Sequence, residues 1–297
     1  MRIAAFDESK IKAFLNQQIP ELEINSLIKQ SEKDDNFVVL INDELIARFI
    51  KIPKSKFEKE VQLLKILDKN SNLLIPKLYY SNPSFYIVEK LNGIQPDKDL
   101  INKLSQEEFN LFAQDIAKFL YNLHSTNLDE LRDITSLNVQ DYSEYERELN
   151  ELLQAKKVSD SKIIDFINET LVEFQTVKAN LNRKVLLHND FKVQNILFDE
   201  SQKRFSGVYD FELAQIGDPH NDFKLLYKFH HLPLLERVVE EYGKLSGNKI
   251  NLRAVVLIAR IQHLINLYLK HYGEDSEVFI KAQEKLNKYM DEKDLYK

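Results

Sequence analysis

The run HNDFKVQNILF, His188 to Phe198, sets a carboxylate, Asp190, and an amide, Asn195, on one short stretch, and a second acid, Asp210, follows in GVYDFE. All three side chains carry oxygen donors. A hard cation such as Mg²⁺ takes oxygen ligands, a few from protein and the rest from phosphate and water. Phosphoryl transfer asks little covalent chemistry of a protein. It needs positioning, neutralised charge and a group that orients the attacking hydroxyl. A loop and a following hairpin bearing these three residues meet that need. The competing reading is a turn with solvated polar residues. The flanks argue against it: VLL precedes the run as a strand, ILF follows Asn195, and GVY leads into Asp210.

The elements that must hold these residues follow from hydrophobic period. DESKIKAFLNQQIP reads as a helix ended by Pro20. LEINSLIK, NFVVLIN and LIARFIKI read as strands, the last two joined at Asn42-Asp43. KFEKEVQLLKIL has helical spacing, and IPKLYYSN and SFYIVEKL read as two more strands. After Gly93 the pattern turns helical. Ser105-x-x-Glu108 is a capping-box signature opening SQEEFNLFAQDIAKFLYNLHS. Further helices are expected at about 141–156, 160–180, 233–245, 250–272 and 275–292. The composition shift near 91–98 is the one candidate domain boundary, and no repeat or low-complexity tract interrupts the chain.

The chain has 297 residues, 43% hydrophobic and 30% charged, which suits a soluble globular protein with room for two lobes. It has no cysteine, which excludes disulfides, thiolate metal sites and a cysteine nucleophile. No apolar run approaches a membrane span, and MRIAAFDESK lacks the apolar core of a signal peptide, so a cytoplasmic location is expected. The formal charge of −6 disfavours nucleic acid as a partner.

H-x-D-x-x-x-x-N followed by an acid in D-F-x is the order of protein-kinase-like enzymes. HNDFKVQNILFD…GVYDFELAQIGDPHNDF closely resembles the aminoglycoside phosphotransferase and choline-kinase-like family. HND with GDP-x-x-D is most like the aminoglycoside 2''-phosphotransferases. The resemblance implies an α+β, protein-kinase-like bilobal fold. Residues 1–91 would form a small, β-rich, nucleotide-binding N-lobe with a hinge near 88–93, and residues 94–297 a larger, mostly helical C-lobe. It also implies Asp190 as the base or hydroxyl-orienting residue, with Lys192 touching the γ-phosphate. Asn195 and Asp210 would hold Mg²⁺. Arg48 would meet the nucleotide phosphates with Glu60 as its partner, and the backbone of Glu89 and Leu91 would receive the purine of ATP or GTP. His188 is expected to brace the loop. Asp218 and Asp222 are expected either to brace it or to cap a helix.

Three departures stand out. The nucleotide loop SEKDDNF has no glycine, although close approach of backbone to phosphate usually calls for one. The strand cation is Arg48 rather than lysine, with Lys51 as the alternative on the opposite face. The metal motif ends in Glu212 rather than glycine. The function implied is phosphorylation of a small, hydroxyl-bearing, cationic acceptor, foremost an aminoglycoside antibiotic in a resistance enzyme. The alternatives are a metabolic kinase for choline, homoserine, thiamine, a fructosamine or another sugar, and a nucleotide-binding pseudokinase without turnover. Glu144, Glu148 and Glu151 recur at helical spacing, as either a solvated face or one that meets a polyamine.

Overall fold

The computed structural model describes residues 5–52, 55–69, 72–154, 158–228, 231–270 and 277–297. The chain divides into two compact units. The first comprises residues 1–97, 126–137 and 194–214, and the second comprises residues 98–125, 138–193 and 215–297.

The first unit opens with α1 (Glu8–Gln18), capped by Asp7, whose carboxylate accepts from Lys10 N–H. There follow β1 (Leu27–Glu32), β2 (Asn36–Ile41), β3 (Leu45–Ile50), α2 (Ser55–Leu67), β4 (Leu78–Asn82) and β5 (Phe85–Glu89). The strands form one antiparallel sheet in the order β1-β2-β3-β5-β4. Asn42 and Asp43 both have positive φ, 52° and 62°, in a three-residue loop between the paired Ile41 and Leu45, which Glu44 N–H closes onto Ile41 O. β1 lies later than expected, at 27–32 instead of 22–29. Leu22 and Ile24 are apolar because they pack as irregular chain into the core beside α1, not because they join the sheet. The side chain of Asn42 holds that segment, accepting from Asn25 N–H and Ser26 N–H.

Strand parity sorts this sheet into two faces. Odd residues Phe37, Val39, Ile41, Ala47, Phe49, Phe85 and Ile87 meet Phe14 and Leu15 of α1 in one buried cluster. The rings of Phe37, Phe49, Phe85 and Tyr80 stack in series, with centroids 4.8 to 5.3 Å apart. Even residues of β2, β3 and β5 point the other way, and Tyr80 joins the odd face because the register of β4 shifts between Leu78 and Tyr80. The hairpin of β7 (Ile196–Asp199) and β8 (Arg204–Val208) belongs to the same unit, where a two-residue bridge ties Phe198 to Ile94.

The second unit contains α3 (Lys98–Lys103), α4 (Gln106–His124), α5 (Tyr142–Gln154), α6 (Ser161–Lys178), α7 (His220–Lys228), α8 (Leu232–Ser246), α9 (Leu252–Ile265) and α10 (Glu277–Asp291). It also holds the two-stranded β6 (Val185–Leu187) and β9 (Gln215–Gly217). The capping box of α4 is formed, Ser105 accepting from Glu108 N–H and Glu108 from Ser105 N–H. The last two expected helices reach into 271–276, which lies outside the described residues; α9 ends at Ile265 and passes into a π-turn, Asn266–Lys270. No described helix is long and apolar enough to cross a membrane.

Candidate active site

The first unit holds a cavity of about 500 Å³ on the even-numbered face of its sheet. Val38, Ile46, Val88, Leu64, Pro76 and Leu197 give it apolar walls, and Arg48, Glu60, Tyr86 and Asp210 give it a polar end. Parity decides between the two strand cations: Arg48 is even and lines the cavity. Lys51 is odd, and its ammonium binds Lys33 O and the Glu32 carboxylate, both at 2.8 Å. That clamp sits under the glycine-free turn, which Lys33 N–H closes onto Asn36 O.

Glu60 on α2 is the centre of the polar end. One oxygen accepts from Arg48 Nη1 at 3.0 Å and from Tyr86 OH at 2.9 Å, and the other from Phe211 N–H at 3.0 Å. Burial pushes the Glu60 carboxyl above the ordinary glutamate range, Arg48 pulls it back and Asp210 adds to the rise. Arg48 also reaches Glu212, Nη2 to Oε2 at 2.8 Å. Burial opposes its charge, but Tyr86, Glu60 and Glu212 hold its pKa above the usual arginine value.

At the end of β5, Glu89 N–H is taken by Lys77 O and Lys90 N–H by Glu44 O. Leu91 lies on the cavity wall, and among the described residues its N–H has no backbone partner. Gly93 follows with φ of 121°, and a Cβ there would lie 2.8 Å from Phe198 O, so the chain requires glycine at this point.

Asn195 and Asp210 stand at the same end of the β7–β8 hairpin. Ile196 pairs with Val208, and Asn195 O accepts from Tyr209 N–H. The register therefore sets Asn195 and Asp210 on neighbouring strand ends. Asp210 has a left-handed backbone, φ 73°, uncommon for a residue other than glycine and concentrated at functional sites. Among the described residues no trio of His, Asp and Glu forms a metal cluster. A divalent cation at this hairpin end would rest on one amide and one carboxylate oxygen, a donor set that suits Mg²⁺ completed by phosphate and water.

In the second unit, Asp190 and Lys192 share a turn: Lys192 Nζ lies 2.6 Å from Asp190 Oδ2, and Lys192 N–H donates to Asp190 O. His188 is fully buried and braces the turn, Nδ1 accepting from Asp190 N–H. The loop is pinned by Asp222, whose carboxylate accepts from His188 N–H at 2.9 Å and Asn189 N–H at 2.7 Å. Its partner on α4 is His124, Nε2 to Oδ2 at 3.0 Å, and the other nitrogen of that ring meets Tyr242 OH. Asp222 thus braces the loop. Asp218 accepts from His220 N–H at the start of α7 and from Arg183 N–H ahead of β6.

Three contributors carry no motif in the sequence, Lys224, His124 and Tyr86, and the partner of Glu212 is not legible there. Lys224 is buried on α7, and Nζ donates to Asn189 Oδ1 at 2.8 Å and Asn221 Oδ1 at 3.3 Å. Burial pushes its pKa down to about 8, against the pull of Asp222 and Asp190. A lysine inside the apolar spacing of a helix was the available signal. Glu144 and Glu151 are exposed and Glu148 is half-buried, and Glu151 pairs with Arg147 along α5.

Known proteins agree with this architecture. Wild-type aminoglycoside 2'-phosphotransferase-IIIa in its GDP complex superposes with a TM-score of 0.82 at 20% identity, over 97% of this chain and 100% of that one. ADP-bound aminoglycoside phosphotransferase APH(2'')-Ib gives 0.75 at 23% identity, over 96% and 99%. These likenesses establish the fold as α+β and protein-kinase-like. In sequence, acyl-CoA dehydrogenase family member 11 of Homo sapiens is 26% identical over 91% of this chain. The chain spans only 36% of that protein's length. The model of the APH family, the phosphotransferase enzyme family, matches residues 27–256. The chain therefore belongs to the phosphotransferase enzyme family.

Proposed function

We propose that this protein transfers the γ-phosphate of ATP or GTP to a hydroxyl of a small molecule in the cytoplasm. The observation that carries this reading is the cavity of the first unit, apolar along its walls and ending in Arg48, Glu60 and Asp210. A purine fits between apolar walls, with the Leu91 N–H and the Glu89 carbonyl as its hydrogen-bond partners at a hinge near 88–93. The Glu89 N–H is already engaged with Lys77 O. Arg48 would take phosphate oxygens, held by Glu60. Asn195 and Asp210 would hold Mg²⁺, which when bound supplies positive charge to the phosphates. Asp190 accepts the proton of the acceptor hydroxyl, or aims it, and the ammonium of Lys192 keeps that carboxylate in place and offers charge to the transferred group.

An aminoglycoside hydroxyl is the first acceptor class, on the fold likeness to the two aminoglycoside phosphotransferases. A second reading has one observation of its own: the sequence match to acyl-CoA dehydrogenase family member 11 points to a metabolic kinase whose alcohol sits on an acyl-CoA-type metabolite. A coupled nucleotide-consumption screen separates them. It should include aminoglycosides, choline, homoserine, sugars and hydroxyacyl thioesters. Turnover of one class with a phosphate ester as product is the expected result. Mg²⁺–nucleotide binding with no consumption on any alcohol would leave a pseudokinase. Asp210→Ala is expected to weaken Mg²⁺–nucleotide binding in calorimetry, and undiminished affinity in that variant would remove Asp210 from the metal.

A further inference from the structure

Arg48 is held by two carboxylates, and they are not equivalent. The Glu60 side chain is 4% exposed and is fixed by Tyr86 OH and Phe211 N–H as well as by the guanidinium. The Glu212 side chain is 31% exposed, and its carboxylate is on Arg48 Nη2. An arginine fork presents its nitrogens to carboxylate and phosphate in the same way, so an anion entering the cavity meets Arg48 with one edge already occupied.

The contact is not a chance pose of a surface side chain. Glu212 lies in the short 3₁₀ turn Phe211–Leu213. Successive residues of α2 hold the two ends of that turn: Glu60 accepts from Phe211 N–H, and Lys59 Nζ donates to Ala214 O at 2.8 Å. With both ends fixed, the turn presents Glu212 to Arg48 directly after the metal-motif acid Asp210. Asp-Phe-Glu in place of Asp-Phe-Gly is the sequence trace of this arrangement.

We propose that Glu212 is a positioning residue that stands in for nucleotide phosphate on Arg48. It keeps the guanidinium aimed into the empty cavity and is exchanged for a phosphate oxygen when the triphosphate binds, while Glu60 stays as the permanent partner. The exchange rests on the reading of Arg48 as a phosphate ligand. Its cost is that of a partly exposed ion pair, so nucleotide binds less tightly than the cavity alone allows.

The test is a mutant cycle of Glu212→Gln, Arg48→Met and the double variant. Affinity for ATP and GTP is measured by calorimetry in EDTA, so that no metal contributes. Glu212→Gln is expected to bind nucleotide about 2- to 5-fold more tightly than wild type. The gain should vanish in the Arg48→Met background. Thermal melts add a readout that a merely structural role would not give: Glu212→Gln should melt lower without nucleotide yet gain more from it. Unchanged or weaker binding in Glu212→Gln, with Arg48→Met weakening it, would overturn the exchange alone. A gain that persists in the Arg48→Met background would also overturn it, since it would reflect long-range repulsion. Should Arg48→Met bind nucleotide as wild type does, the phosphate role of Arg48 falls, and the exchange with it.

Discussion

Replacing Asp190 by alanine is expected to lower kcat by about 10²- to 10⁴-fold and to leave nucleotide affinity nearly unchanged. The structure supports this split. Asp190 belongs to the second unit, on the turn that it shares with Lys192. Its carboxylate is only 16% exposed and is held by Lys192, and its backbone by His188. A carboxylate fixed this tightly can aim a hydroxyl without contributing to purine or phosphate binding. Steady-state kinetics with saturating acceptor, beside calorimetry with nucleotide, separates the two quantities. A matching loss of nucleotide affinity would show that Asp190 holds metal or structure instead.

Asp222→Ala has the second large effect, on stability as well as rate. The carboxylate is fully buried and satisfies two backbone N–H groups and the His124 ring. Each buried donor left without a partner costs about 1–3 kcal/mol, so the loss should come to roughly 3–5 kcal/mol after relaxation. The urea midpoint should fall accordingly, and kcat should drop even where the fold persists, since His188 and Asn189 then lose their anchor. Burial pushes the Asp222 carboxyl up, but the hydrogen bonds from the His124 ring and the Asn189 N–H win, holding it below its ordinary value of 3.8. A depressed carboxylate stabilises the fold above its unfolded pKa and loses that contribution as pH falls through the folded value. Acid unfolding of the wild type below about pH 4 should therefore be steeper than that of Asp222→Ala. Equal acid slopes would mean that Asp222 is not ionised in the fold.

Local pattern carried much of this in the sequence. The alternation of NFVVLIN and LIARFIKI is visible without coordinates, and it already sets Arg48 and Lys51 on opposite faces. Ser105 and Glu108, and the Asn42-Asp43 turn, are equally local, and each forms as its chemistry directs. What the pattern could not disclose is partnership at long range. Glu212 meets a residue 164 positions away, and His124 meets Asp222 across 98. Lys224 reads as one more charge on a helix until packing turns it inward to Asn189, 35 residues upstream. The misplaced first strand has a related cause. Burial makes Leu22 and Ile24 apolar whether or not they pair, so hydrophobicity alone does not mark the edge of a sheet.

The two-faced sheet of the first unit has a consequence for how the protein changes over generations. Its aromatic stack against α1 and its ligand-facing wall are written in alternate letters of the same strands. A substitution at Val38, Ile46 or Val88 reshapes the cavity wall proposed to take the purine and lies on the face opposite Phe37, Phe49 and Phe85. Preference between adenine and guanine can thus drift by single steps, each tolerated by the scaffold behind it.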